Sequence, residues 1–187
     1  MTLIIGLSGS LRRHSFNRGL LRAAAEVMPE GSVLQIESIA EIPLYDGDVE
    51  AAAFPTAVAA LKDKIAEADG LLLVTPEYNN GIPGVFKNAI DWLSRPPADA
   101  PRVFDGKPVG VIGASSGRFG TLLSQTGWLP VLRTLGANHW SGGRLLVSGA
   151  SGLFDAEGNL GDPATRDRLR DYLEGFVAHI ERLTRRA

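Results

Sequence analysis

Three segments gather the side chains whose types and spacing could do chemistry. The first reads Ser8-Gly9-Ser10-Leu11-Arg12-Arg13-His14-Ser15-Phe16-Asn17. Ser10, Ser15 and Asn17 offer neutral donors on short side chains, and Arg12 offers a charged fork shaped for phosphate oxygens. The segment follows an apolar run and opens a helical pattern. A helix N-terminus presents unpaired N–H groups and partial positive charge to an anion. The segment carries neither G-x-G-x-x-G nor G-x-x-x-x-G-K-[ST], so a dinucleotide fingerprint and the lysine of ATP and GTP sites are both missing. A terminal monophosphate suits these donors better. Ser15 taken alone also reads as an N-cap, and Arg13 and His14 read as solvated residues.

The second segment is Thr75-Pro76-Glu77-Tyr78-Asn79-Asn80-Gly81-Ile82-Pro83-Gly84, in which two prolines and two glycines fix the backbone path. A stiff loop holds peptide N–H groups in set directions, which suits the edge of a flat ring bearing N and C=O groups. Tyr78 adds an aromatic surface, and Asn79 can donate and accept. The plainer reading is a helix-entry turn with Asn80-Gly81 at its corner. Glu77 has no histidine or second carboxylate in its loop, so no general-base role is assigned to it. The third segment, Gly113-Ala114-Ser115-Ser116-Gly117-Arg118-Phe119-Gly120, is small enough for backbone to approach a ligand closely.

The elements that must position these segments follow from hydrophobic periodicity. Strand-length apolar runs fall at residues 3–7, 33–36, 70–74 and 109–113, and residues 137–140 and 144–147 read as two halves of a last strand. Helical patterns cover residues 16–28, 54–68, 83–94, 120–135 and 162–185, with Pro130 expected to kink the fourth. Residues 39–48 read as irregular and 148–161 as a polar, Gly-rich loop. Five strands alternating with five helices predict a parallel sheet with right-handed crossovers. Ligands on such sheets bind outside the carboxyl ends of the strands, where all three segments fall.

Composition narrows the classes. The chain has 187 residues, expected to form one domain over 1–187, with a net charge of -2 and no cysteine. That balance provides no basic field for nucleic acid. The absence of cysteine removes thiolate metal sites, iron–sulfur clusters and a cysteine nucleophile. No run reaches the ~18 apolar residues needed to span a bilayer, no signal peptide is legible, and the expected location is the cytoplasm. The acidic stretch 155–162 lacks the spacing of a Ca²⁺ loop, so no metal site is expected. A hydrolase is disfavoured because no G-x-S-x-G elbow exists.

Gly9-Ser10-Leu11-Arg12 with Ser15-Phe16-Asn17 resembles the phosphate loop of the bacterial NAD(P)H-dependent FMN reductases, a family that includes quinone and chromate reductases and some azoreductases. Ile42-Pro43-Leu44-Tyr45-Asp46 resembles another of its segments. The most specific match is Thr75-Pro76-Glu77-Tyr78-Asn79 with Pro83-Gly84 and Lys87-Asn88-Ala89-Ile90-Asp91-Trp92-Leu93-Ser94. The resemblance covers nearly the whole chain. It implies a flavodoxin-like doubly wound α/β fold: a five-stranded parallel sheet of order 2-1-3-4-5, helices on both faces and FMN at the switch point. It places the phosphate on Ser10, Arg12, Ser15 and Asn17, within a loop that also brings Leu11 and Phe16. It places Pro76, Glu77, Tyr78, Asn79 and Asn80 along the flavin ring, and Ser115, Ser116 and Gly117 on the ring's other side. The chain departs from the family at Phe119-Gly120-Thr121 and over residues 126–140, which bears on the acceptor.

The resemblance further implies hydride transfer from NADPH or NADH to FMN, then reduction of a small acceptor such as a quinone, flavin, azo compound or oxyanion in ping-pong order. The cofactor carries the chemistry, so no catalytic side chain is assigned. It also implies a homodimer or homotetramer. The apolar residues Val85, Phe86, Ile90, Trp92 and Leu93 wrap more than one face of their helix and suggest a subunit interface. The rival readings are a flavodoxin-like electron carrier and a flavin-binding regulatory module without nicotinamide turnover. The modest net charge argues against the carrier.

Overall fold

The computed structural model describes residues 1–185. Five strand positions form one sheet. They are β1 (Thr2–Ser8), β2 (Ser32–Glu37), β3 (Gly70–Val74), β4 (Pro108–Ala114) and a last position shared by β5 (Asn138–His139) and β6 (Leu145–Val147). The order is β2-β1-β3-β4-β5, every pair parallel, with β6 also on β4. This is the doubly wound order expected for a flavodoxin-like fold.

The last strand is interrupted, as its sequence suggests. Pro108 and Val109 pair with Asn138 and His139, while Ile112 to Ala114 pair with Leu145 to Val147. Between the halves Trp140 turns inward and packs edge-on against Tyr172, with ring centroids 4.7 Å apart. Gly142 and Gly143 lie so close to the indole that any added Cβ would collide with it.

The helices are α1 (Phe16–Glu26), α2 (Gly47–Ala52), α3 (Thr56–Glu67), α4 (Gly84–Leu93), α5 (Ala100–Phe104), α6 (Leu122–Thr134) and α7 (Pro163–Thr184). They cover both faces. Alternation along β3 shows how: Leu72 and Val74 join the core beneath α1 and α7, while Leu71 and Leu73 join the core beneath α3, α4 and α6. A strand buried on both sides explains the unbroken apolar run 70–74.

Three expectations need correction. Short α2 lies partly in the stretch read as irregular; it buries no residue, so no apolar period marks it, and only the Asp46 cap signals its start. Short α5, unassigned from the sequence, has too few residues to show a period and buries Val103 and Phe104. Helix α6 contains Pro130, on an exposed face. Most of the apolar excess of α4 is spent inside the chain: Phe86, Ile90, Trp92 and Leu93 are fully buried, and of the five residues Val85 alone is exposed, at 37%. The Trp92 indole donates to the Pro43 carbonyl at 2.9 Å, and Tyr45 and Phe54 close over it edge-on. The segment 42–54 thus supplies the cover that helical periodicity alone could not reveal.

Candidate functional site

The loops after β1, β3 and β4 meet at one sheet edge, and hydrogen bonds tie each to another. Ser15 caps α1: its hydroxyl oxygen accepts from the N–H groups of Asn17 and Arg18. Asn17 is 3% exposed and spans to the end of β4. Its amide donates to the Ala114 carbonyl and accepts from the Ala114 N–H, both at 2.8 Å. Both of its hydrogen-bonding groups are therefore engaged. The Tyr78 hydroxyl approaches the Ser10 hydroxyl at 3.4 Å, joining the first loop to the second.

The second loop is a tight turn closed by paired backbone bonds between Tyr78 and Gly81. Its two central residues, Asn79 (φ 49°) and Asn80 (φ 62°), are left-handed. Asparagine tolerates that region better than most residues. The Glu77 carboxylate turns away from the loop face and accepts from Leu123 N–H at 2.8 Å and Ser124 N–H at 3.0 Å. It caps α6, whose own preceding residue Thr121 makes no side-chain cap bond. A carboxylate at a helix N-terminus is favoured by charge as well as by hydrogen bonding.

Beneath this loop lies a buried polar cluster that sequence reasoning missed. Thr75 donates to the Pro76 carbonyl, its hydroxyl is 2.8 Å from that of Ser124, and it accepts from the Trp128 indole at 3.2 Å. Its one signal was a hydroxyl directly following a fully apolar strand. Gly113 makes the close packing possible, since a Cβ there would strike the Thr75 carbonyl and the Thr121 hydroxyl. In the third loop, the Ser115 hydroxyl donates to the Gly120 carbonyl and accepts from Gly117 N–H, while Ser116 and Gly117 stay exposed.

What remains open is informative. The N–H groups of Leu11, Arg13, His14 and Phe16 donate to no acceptor among the described residues. Arg12 is exposed, and its guanidinium lies 5.2 Å above the Phe16 ring, which itself packs on Phe154. Free amides, a helix N-terminus and a stacked guanidinium make a donor set suited to a phosphate group. Two side chains expected at the ligand, those of Asn17 and Glu77, make the bonds that hold the loops together. Pro76 is buried, and Leu11 is exposed.

A parallel sheet of this order, with an open donor set at its switch point and two further loops at the same edge, defines the flavodoxin-like class of folds. Similarity to known proteins makes this specific. Residues 2–152 match the family described as NADPH-dependent FMN reductase. The chain is 41% identical over 180 residues to an NAD(P)H-dependent FMN reductase of Pseudomonas aeruginosa, covering 96% of each chain. It is 38% identical over 172 residues to a 2-hydroxy-1,4-benzoquinone reductase of Burkholderia, covering 92% of each. Among solved structures, it superposes on a flavoenzyme NAD(P)H:(acceptor) oxidoreductase of Paracoccus denitrificans. The TM-score there is 0.86 at 32% identity, over 97% of this chain and 98% of that one. The chain belongs to the NADPH-dependent FMN reductase family, and it is an oxidoreductase that uses FMN and NAD(P)H.

Proposed function

We propose that FMN lies across the three loops and that a quinone-class acceptor takes the electrons. The observation that carries this reading is the set of unsatisfied backbone N–H groups at the start of α1 beside Arg12. When bound, FMN supplies the two-electron chemistry that links nicotinamide to acceptor. The residues of the chain bind and orient it. The Leu11, Arg13, His14 and Phe16 amides, with Arg12 and the hydroxyls of Ser10 and Ser15, hold the phosphate. The rigid turn Tyr78-Asn79-Asn80 and the segment Ser115-Ser116-Gly117 flank the ring. Backbone donors of these two segments would stabilise negative charge on the ring when it is reduced. The chain supplies no assigned acid or base, and co-substrate and acceptor would take turns at the one site that these loops border.

Two measurements test the reading. Riboflavin lacks the phosphate, so it should bind the apoprotein far more weakly than FMN; equal affinity would remove the cradle as a phosphate site. Initial rates against NADPH and a benzoquinone should give parallel double-reciprocal lines, and intersecting lines would overturn the shared site.

We further infer a homodimer or homotetramer in the cytoplasm. No helix among the described residues is long and apolar enough to cross a membrane. Support for assembly comes from α6 and the loop before it, where Phe119 (76% exposed), Leu122, Leu123 and Leu129 all face solvent. Light scattering should give twice or four times the chain mass, and a monomer would contradict this.

A further inference from the structure

A cavity of about 420 Å³ opens on the side of the first loop away from β3, between the carboxyl ends of β1 and β2. Its volume lies within the usual range for small-molecule sites. It is lined by Leu11, Leu21, Ile36 and Ile39, which are apolar, and by Arg18 and Arg22 on one side of α1. None of the phosphate-loop or ring-loop bonds described above explains it.

Three observations say that it takes an anion. First, Ser8 lies in its wall, 9% exposed, with a buried hydroxyl that has no hydrogen-bond partner among the described residues. A buried hydroxyl without a partner is uncommon and calls for an explanation. Second, the rim carries uncompensated positive charge. Arg18 forms no ion pair among the described residues. Arg22 is held in place by bonds to the Gly158 carbonyl and the Asn159 side-chain oxygen, at 3.2 and 2.8 Å, and neither partner is charged. The carboxylate of Glu37, also in the lining, pairs with Lys64 at 2.8 Å. Third, Arg18 stands in the first turn of α1, where the helix dipole disfavours a cation unless an anion is also present. Residues 9–25 contain Arg12, Arg13, Arg18 and Arg22 and no acid, in a chain whose net charge is -2.

The apolar walls suit an anion that also carries an apolar body. The cavity also shares Ser10 and Leu11 with the phosphate loop, so its ligand lies beside whatever that loop anchors. We infer that this cavity takes the phosphorylated adenosine part of a dinucleotide, next to the FMN phosphate. Two sources carry that group: NADPH, through its 2′-phosphate end, and FAD, through its adenylate. The inference rests on the placement of FMN proposed above.

The test uses the FMN-loaded protein and adenosine 2′,5′-bisphosphate as probe, titrated by calorimetry against wild type and Arg18→Glu. The Arg18 side chain is exposed and makes no hydrogen bond to the flavin-site loops, so the variant should fold and keep its FMN spectrum. Saturable binding that weakens about tenfold or more in the variant supports the site. Absence of saturable binding, or equal affinity in both proteins, overturns it. Two further readings name the source. A rise of about tenfold in KM for NADPH, with kcat and the KM for NADH unchanged, identifies the co-substrate. A selective loss of FAD affinity relative to FMN in the apoprotein identifies the flavin dinucleotide. Bleaching of the flavin by NADH, followed in the same samples, shows whether the FMN placement itself holds.

Discussion

The first and second loops sit on neighbouring strands at the same sheet edge, and they dispose of their hydrogen bonds in opposite ways. The turn Tyr78–Gly81 is closed on itself by paired backbone bonds, and Glu77 spends its carboxylate on α6. The first loop leaves the backbone N–H groups of Ser10, Leu11, Arg13, His14 and Phe16 without acceptors among the described residues, beside an exposed guanidinium. One loop is a finished shape and the other an unsatisfied donor set. The difference teaches that shape and binding are separate tasks. The side chains of Asn17 and Glu77 build the frame, while the backbone amides of the first loop are left open for a ligand.

The largest test of this contrast is Asn17→Leu. It strands the buried N–H and carbonyl of Ala114, each at a cost of roughly 1–3 kcal/mol. The melting temperature should fall by roughly 5–15 °C, with FMN affinity falling alongside because loops one and three lose their tie. Calorimetry that finds no change in melting would place Asn17 among the ligand-binding residues instead.

Arg12→Ala should show the reverse pattern. FMN affinity should weaken by about 10–100-fold, while the melting temperature of the apoprotein moves by no more than roughly 2 °C, as for other exposed substitutions. Flavin fluorescence titration measures the first and scanning calorimetry the second. An unchanged dissociation constant would refute the role of Arg12.

Glu77→Gln keeps the shape of the cap and loses its charge. A cost of about 1 kcal/mol at the α6 N-terminus is expected, with FMN affinity nearly unchanged; a large loss of FMN at unaltered stability would mean that the carboxylate serves the flavin. Tyr78→Phe should have the smallest effect, below about 0.5 kcal/mol, because its hydroxyl contact to Ser10 is long at 3.4 Å. Any tenfold change in flavin binding there would show that the two loops are coupled more tightly than their geometry says.

Much of the fold is legible in the amino-acid sequence. The parallel sheet and the split last strand follow from apolar runs separated by helical periods, because burial on both faces leaves that mark on a strand; the strand order follows from the family resemblance. The three site loops are legible by position. Short α2 is not, since a surface turn with no buried residue leaves no period. Nor is the packing of Trp92: a lone helix pattern does not show that residues 43–54 fold back over it. At the site, residue types point to the phosphate cradle but do not separate donors that face a ligand from donors that face the protein. Asn17 finds its partner 97 residues away, at Ala114, and Glu77 finds its own 46 residues away, at Leu123. Only the folded chain brings those groups together.

FMN held at these loops should pass electrons from nicotinamide to an acceptor. The most direct measurement is the anaerobic visible spectrum of the FMN-loaded protein during addition of NADPH and then a benzoquinone. The flavin band should bleach with NADPH and return with the quinone. A band that persists through NADPH, or a protein that retains no flavin after reconstitution, would contradict this.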